Sequence, residues 1–144
     1  GDSRSESVRL ALEAVPEEAA AVVVHDAARP LVPDEVIERV LTALGEGWDG
    51  VVPTLPLADT IKRIEGEQVV ETLARDQLAA VQTPQGFVAD VLRDALAGDV
   101  SDATDCSSLV EARGGRVKAV PGDPRLLKVT DEKDLALAES WLER

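Results

Sequence analysis

Val24-His25-Asp26-Ala27-Ala28-Arg29-Pro30 sets a carboxylate, two small residues and a guanidinium in direct succession after an apolar run. At the end of a strand, that combination suits recognition of a polyol phosphate. Asp26 can accept hydrogen bonds from hydroxyl groups, the alanines let a ligand approach the backbone, and Arg29 offers a planar fork that matches phosphate oxygens. An ordinary strand-end turn closed by an internal Asp26–Arg29 pair is the plainer alternative. Lys128 stands between apolar residues, in a chain with only four lysines and a formal net charge of −13. An anionic site must recruit its cations from that small set against a repulsive field, which makes Lys128 a candidate phosphate ligand. Snorkelling at a strand edge is its alternative reading. His25, the single histidine, reads as a packed strand-end residue rather than a base. Cys106, the single cysteine, reads as a small packed residue, and no Cys or His grouping has metal-ligand spacing.

These groups need elements to hold them. Val8, Leu12 and Val15 recur at helical spacing, so a helix is expected from about Ser5 to Val15, after a turn or phosphate-contacting loop at Gly1–Ser5. Ala19 to Val24 is a continuous β-compatible run that suits a buried parallel strand ending at His25-Asp26. Pro33, Asp34 and Glu35 open a helix with the stripe Val36, Ile37, Val40, Leu41 and Leu44. Gly50 to Pro53 is a second short strand. Asp59 to Ile64 and Val69 to Ala74 flank Glu65-Gly66-Glu67 and predict a polar β-hairpin, a protruding arm over about residues 59–75 that reaches a second copy of the chain. Phe87, Val91, Leu92 and Ala95 predict a helix to Gly98, and Asp105, Ser107 and Ser108 open another that Gly114-Gly115 ends. Val117–Val120 and Leu126–Val129 read as strands, and Thr130 as the cap of a last helix with Leu135, Ala138 and Leu142 inward. The alternation predicts an open, mixed but mostly parallel α/β sheet, whose ligands bind at strand carboxyl ends.

Composition narrows the function classes. Twenty-eight acidic residues against 15 basic ones repel a polyanion, which argues against a nucleic-acid partner. One cysteine forms no internal disulfide, and no apolar run is long enough to cross a bilayer, so the expected setting is the reducing cytoplasm, off the membrane.

His25-Asp26-Ala27-Ala28-Arg29-Pro30 is similar to the signature of the methylerythritol phosphate cytidylyltransferase family, and other segments agree in order. Gly1 to Val8 resembles that family's G-G-x-x-R-x-x-S-V, Asp59-Thr60-Ile61-Lys62 its D-T-[IVM]-K, and Thr83-Pro84-Gln85-Gly86-Phe87 its T-P-Q-x-F. Thr104-Asp105 resembles its T-D-[DE] turn, and Leu127-Lys128-Val129-Thr130 its Lys-[VI]-Thr segment. The resemblance covers essentially all 144 residues and implies a Rossmann-like nucleotide-diphospho-sugar transferase fold. It also implies the C-terminal part of a single cytidylyltransferase domain, because the family's L-x-A-A-G-x-G-x-R loop, which grips CTP, has no counterpart here.

Carried over by position, the resemblance implies that Arg4 and Ser7 help hold CTP. It places Asp26, Arg29, Thr83, Thr104 and Lys128 along the methylerythritol phosphate site, and Thr60 and Arg75 in the site of a partner subunit of a homodimer. The implied reaction is attack by the substrate phosphate on the α-phosphorus of CTP, with Mg²⁺ bridging the triphosphate and Lys128 stabilising the developing charge. A sister family acting on ribitol 5-phosphate reads His-Asp-Ser/Gly-Val-Arg-Pro at the signature and stays open as an alternative. So does a non-catalytic binding or dimerisation module, motivated by the missing loop.

Overall fold

The computed structural model describes residues 1–98, 103 and 105–142. Ser3 caps the first helix, α1 (Arg4–Leu12), by accepting the Glu6 N–H at 3.1 Å, so Arg4 belongs to a helix rather than to the loop expected at Gly1–Ser5. The chain then runs through β1 (Ala21–Val24), α2 (Asp34–Gly45), β2 (Gly50–Pro56), β3 (Lys62–Glu65), β4 (Gln68–Thr72), β5 (Ala79–Val81) and β6 (Gln85–Val88). After these come α3 (Ala89–Leu96), α4 (Cys106–Ala112), β7 (Val117–Pro121) and α5 (Glu132–Leu142).

The α/β sheet is mixed, as expected, but its neighbours are mostly antiparallel. β1, β2 and β7 share one direction, yet β6 is inserted antiparallel between β1 and β2, and only the β2–β7 pair is parallel among the described strands. The T-P-Q-x-F segment, expected to lead into a helix, supplies that inserted strand. Gly86 permits it: a Cβ there would lie 2.5 Å from Val40 Cγ1, so α2 sits directly against the β6 backbone. Phe87 points to the other face, where it joins Leu12, Leu92, Leu96 and Val110. Helices therefore cover both faces of the sheet, with α1, α3 and α4 on one and α2 with Val40, Ala43, Val51 and Val120 on the other. The alternation of Gly86 and Phe87 is the period-2 pattern of a strand, hidden in a segment too short to show it.

β2 pairs with β6 through Gly50 and Val51 and with β5 through Thr54 to Pro56. β7 occupies its other edge over Gly50 to Thr54, so β5 and β6 follow one another along the same edge. The connector Gln82-Thr83-Pro84 sits where they part, facing the end of β1.

Three further expectations are corrected. Leu126–Val129 is not a strand: Pro124–Leu126 forms a 3-10 turn capped by Asp123, and the Val129 N–H donates to Ala28 O at 2.8 Å instead of to a ladder. Val36, Val40 and Ala138 are buried as expected, but Leu41, Leu135 and Leu142 are exposed, because the inward stripe of α2 runs through Val36, Val40 and Ala43 and that of α5 through Ala138. Asp131 caps α5 by accepting from Lys133 and Asp134, while Thr130 donates to the Asp134 carboxylate. The hairpin β3–β4 does form its own two-stranded sheet, with Ile64 opposite Val69, over a shorter span than 59–75. No helix of the described residues is long and apolar enough to cross a membrane.

Candidate functional site

Antiparallel pairing sets Val24 opposite Gln85, and two residues later the chain carries Asp26 to Thr83. The Asp26 N–H donates to Thr83 Oγ1 at 3.0 Å. The same hydroxyl lies 3.0 Å from His25 Nδ1, and His25 Nε2 lies 2.9 Å from Arg29 O. A carbonyl only accepts, so Nε2 carries a proton; in the tautomer protonated there alone, Nδ1 accepts from Thr83 and the Thr83 oxygen receives the Asp26 N–H. His25 is exposed rather than packed, but both ring nitrogens are committed to shaping the turn.

Three cations surround the Asp26 carboxylate. Arg4 Nε is 3.2 Å from Oδ1, while Lys128 Nζ and Arg29 Nε are 3.4 and 3.9 Å from Oδ2. The Asp26 and Arg29 side chains are 16% and 12% exposed, whereas Lys128 is 48% exposed. Burial by itself raises the Asp26 pKa, but hydrogen bonding and charge from Arg4, followed by Lys128, outweigh it and hold the carboxyl below its ordinary range. Arg29 goes the other way: burial lowers its pKa, with Asp26 opposing and Arg4 adding to the effect. It is also not the free fork expected from its place in the signature. Its Nη1 donates to Leu126 O at 2.5 Å, and its buried Nε has no hydrogen-bond partner.

Lys128 is held between two anchors, the Arg29 bond to Leu126 O and the Val129 bond to Ala28 O. Opposite, Asp105 caps α4 through the Ser108 N–H at 2.9 Å and accepts Gln85 Nε2 at 3.0 Å and Ser107 Oγ at 2.8 Å. Burial raises its pKa, but these donors lower it further, so Asp105 is an ionised cap. Burial pushes the Cys106 thiol up, and Arg4 Nη1 donates to its sulfur at 3.4 Å.

The result is an open cleft of about 440 Å³ in which Arg4, Asp26, Arg29, Thr83 and Lys128 meet, residues that come from four separate segments of chain. Ser7 lies in the adjoining groove between α1 and β1, its hydroxyl donating to Ser3 O. Thr60 and Arg75 are exposed at the base of the hairpin and do not line the cleft; Arg75 donates to Ala58 O. Thr104 lies outside the described residues. Two buried amides of the cleft, Gln82 and Gln85, were not singled out from the sequence as site residues. Their signal was two amides flanking Thr83-Pro84 beside Gly86-Phe87, legible only once that stretch is taken as a strand.

Among the described residues, no three His, Cys, Asp or Glu side chains gather to hold a metal ion. The cleft's central carboxylate, Asp26, is already neutralised by Arg4 and Lys128. Guanidinium, ammonium, carboxylate and hydroxyl groups side by side can hydrogen-bond an anion that carries hydroxyl groups.

A family model described as IspD: 2-C-methyl-D-erythritol 4-phosphate cytidylyltransferase matches residues 1–144. A 2-C-methyl-D-erythritol 4-phosphate cytidylyltransferase of Saccharopolyspora erythraea is 51% identical over 146 residues, covering 99% of this chain and 65% of the relative. A bifunctional enzyme IspD/IspF of Solidesulfovibrio magneticus is 50% identical over 97% of this chain and 36% of its own length. The crystal structure of the Thermus thermophilus 2-C-methyl-D-erythritol 4-phosphate cytidylyltransferase superposes with a TM-score of 0.89 at 38% identity, covering 100% of this chain and 71% of that one. The chain thus spans less than two thirds of the length of these curated relatives.

Proposed function

The chain belongs to the 2-C-methyl-D-erythritol 4-phosphate cytidylyltransferase family, and we propose on that premise that the full-length protein transfers a cytidylyl group from CTP to 2-C-methyl-D-erythritol 4-phosphate. The products are CDP-methylerythritol and pyrophosphate, in the non-mevalonate route to isoprenoid precursors. One observation carries the reading: Asp26, Arg4, Arg29 and Lys128 converge in a single open cleft beside the Thr83 hydroxyl.

The chemistry needs no covalent enzyme intermediate. An oxygen of the substrate phosphate forms a bond to the α-phosphorus of CTP, and the bond from that phosphorus to the bridging oxygen breaks, releasing pyrophosphate. Catalysis comes from holding two anions together and stabilising charge on the pentacoordinate phosphorus. Lys128 is suited to this because it is half-exposed and, among the described residues, paired with Asp26 alone. Such a pair is worth at most about 1 kcal/mol, so the ammonium can turn to an incoming phosphate at little cost. Asp26 keeps Arg4 and accepts substrate hydroxyls, Thr83 fixes the Asp26 backbone, and Arg29 adds its positive charge to the cleft wall. Arg4 and Ser7 border the groove assigned to CTP. Mg²⁺ enters with the triphosphate, as part of the nucleotide substrate.

The hairpin supports a homodimer. Ile64 and Val69, its cross-strand pair, are 60% and 55% exposed, and an isolated two-stranded hairpin is marginal in water. A second copy covering it would bring Thr60 and Arg75 to the neighbouring cleft. With a single buried cysteine, the assigned compartment is the cytoplasm.

Turnover of full-length protein with CTP, with methylerythritol phosphate and ribitol 5-phosphate in competition, tests the assignment. Preference for methylerythritol phosphate is expected; preference for ribitol 5-phosphate, or no cytidylyl transfer to either, overturns it.

A further inference from the structure

Gln82 is buried at the point where β5 and β6 part, and its backbone N–H is fastened to Pro53 O of β2 at 2.8 Å. Its carboxamide closes a ring of two hydrogen bonds with the backbone of one residue: Nε2 donates to Asp123 O at 3.0 Å, and Oε1 accepts the Asp123 N–H at 3.1 Å. Only one orientation of the amide works, since the flipped form would set two donors and two acceptors face to face. The approach is close enough to dictate the neighbouring residue. A Cβ on Gly122 would lie 2.1 Å from Gln82 Oε1.

The segment gripped in this way is the one that carries Lys128. β7 ends at Pro121, and one more main-chain bond to β2, from the Gly122 N–H to Thr54 O at 2.8 Å, precedes Asp123. Asp123 then caps the Pro124–Leu126 turn by accepting the Arg125 N–H at 2.8 Å. Leu126 is fully buried, and Lys128 follows at the cleft. On the other side, Gln82 precedes Thr83, which receives the Asp26 N–H. One side chain therefore spans the two walls whose separation determines how Lys128 meets Asp26.

We propose that Gln82 is a positioning residue that braces the Gly122–Lys128 segment against the Thr83 connector and so sets the reach of the Lys128 ammonium; this rests on the reading of Lys128 as the phosphate-orienting cation. Gln82 acts through Lys128, without contributing to the chemistry itself.

Two variants of the full-length protein test it. Gln82→Met keeps the length and removes both hydrogen bonds; it is expected to lower kcat/KM for the polyol phosphate by between about 10- and 100-fold, the effect of misplacing a catalytic group by about 1 Å. The KM for CTP should stay within about twofold, because the brace does not touch the CTP groove. Gln82→Glu restores donor and acceptor only while its carboxyl is protonated, and burial brings that titration up towards neutrality. Its activity relative to the parent should therefore rise as pH falls from 8 to 5, while that of Gln82→Met stays flat. The charged and titratable groups around position 82 are Asp123 and its partner Arg125, Arg39, which donates to Pro121 O, His25 against Thr83 Oγ1, and Arg4, Asp26, Arg29, Asp105, Glu111 and Lys128 of the same cleft. Arg125 holds the Asp123 carboxyl below its ordinary range, so Asp123 stays ionised in that window, and the groups shared by parent and variants cancel in the ratio of their activities.

In a Lys128→Ala background both Gln82 effects should disappear. Independently of turnover, ¹³C titration of the Asp26 carboxyl should move upward in Gln82→Met and in Lys128→Ala, with no further rise in the double variant. An Asp26 titration that responds to Lys128→Ala but not to Gln82→Met overturns the proposal, as does a Gln82 effect that survives undiminished without Lys128, or a flat Gln82→Glu profile. If the full-length protein transfers no cytidylyl group, the functional assignment fails, and the titration alone decides the brace.

Discussion

Asp26→Asn keeps the size of the side chain and removes the carboxylate charge that faces Arg4, Arg29 and Lys128. The pairs with Arg4 and Lys128 are partly exposed, so water recovers most of their loss, at about 0.5 kcal/mol each. Arg29 is different: it is buried, its Nε has no hydrogen-bond partner, and Asp26 supplies its compensating charge, so its share is about 1 kcal/mol or more. The variant should be destabilised by about 2 kcal/mol near pH 7, a fall in Tm of about 4–8 °C for a chain of this size class. The pH dependence has a definite sign. Because the folded carboxyl titrates below its unfolded value of about 3.9, the stabilisation is fully present above about pH 4 and is lost as pH falls through the depressed folded value. Urea and thermal unfolding of full-length parent and variant at pH 7, 5 and 3 would read this. The gap should be equal at pH 7 and 5 and narrower at pH 3. A variant as stable as the parent at pH 7, or a gap already closing between pH 7 and 5, would refute the reasoning.

Lys128→Ala should lower turnover by about 100-fold or more while changing stability by less than about 0.5 kcal/mol, measured by steady-state kinetics and urea unfolding; near-normal turnover would remove Lys128 from the chemistry. Gly86→Ala introduces a Cβ 2.5 Å from Val40 Cγ1 and 2.9 Å from Leu44 Cδ1, and should cost about 1–3 kcal/mol of unfolding free energy. Replacing Lys62–Thr72 by a short glycine link should convert a dimer to a monomer in sedimentation velocity, and unchanged association would count against the arm.

Much of the candidate site was legible because its residues sit in short, self-contained patterns. The Asp26-Ala-Ala-Arg29 succession follows an apolar run whose strand character needs no distant partner to be read. The hairpin shows in Glu65-Gly66-Glu67, where Gly66 adopts φ 60°, a conformation favouring glycine. The Asp105 cap depends only on Ser107 and Ser108. Gln82 and Gln85 were missed because each acquires its role from a residue far along the chain, Asp123 and Asp105 respectively. Arg29 was misjudged for the same reason: the Leu126 carbonyl that occupies its fork is remote in sequence.

The sequence by itself determined the α/β alternation, the hairpin, the Asp105 cap and the placing of Asp26 and Arg29 directly after an apolar strand. Propensity, capping and turn geometry act over a few residues, so they are written locally. Only the tertiary structure decided that β6 enters antiparallel between β1 and β2, that Leu135 and Leu142 face outward, and that Lys128 ends its segment 3.4 Å from Asp26. Those outcomes depend on which strand edge is free, which helix face finds a partner and which backbone groups remain to be hydrogen-bonded after the sheet closes. Such choices belong to the folded chain as a whole, and no window of neighbouring residues contains them.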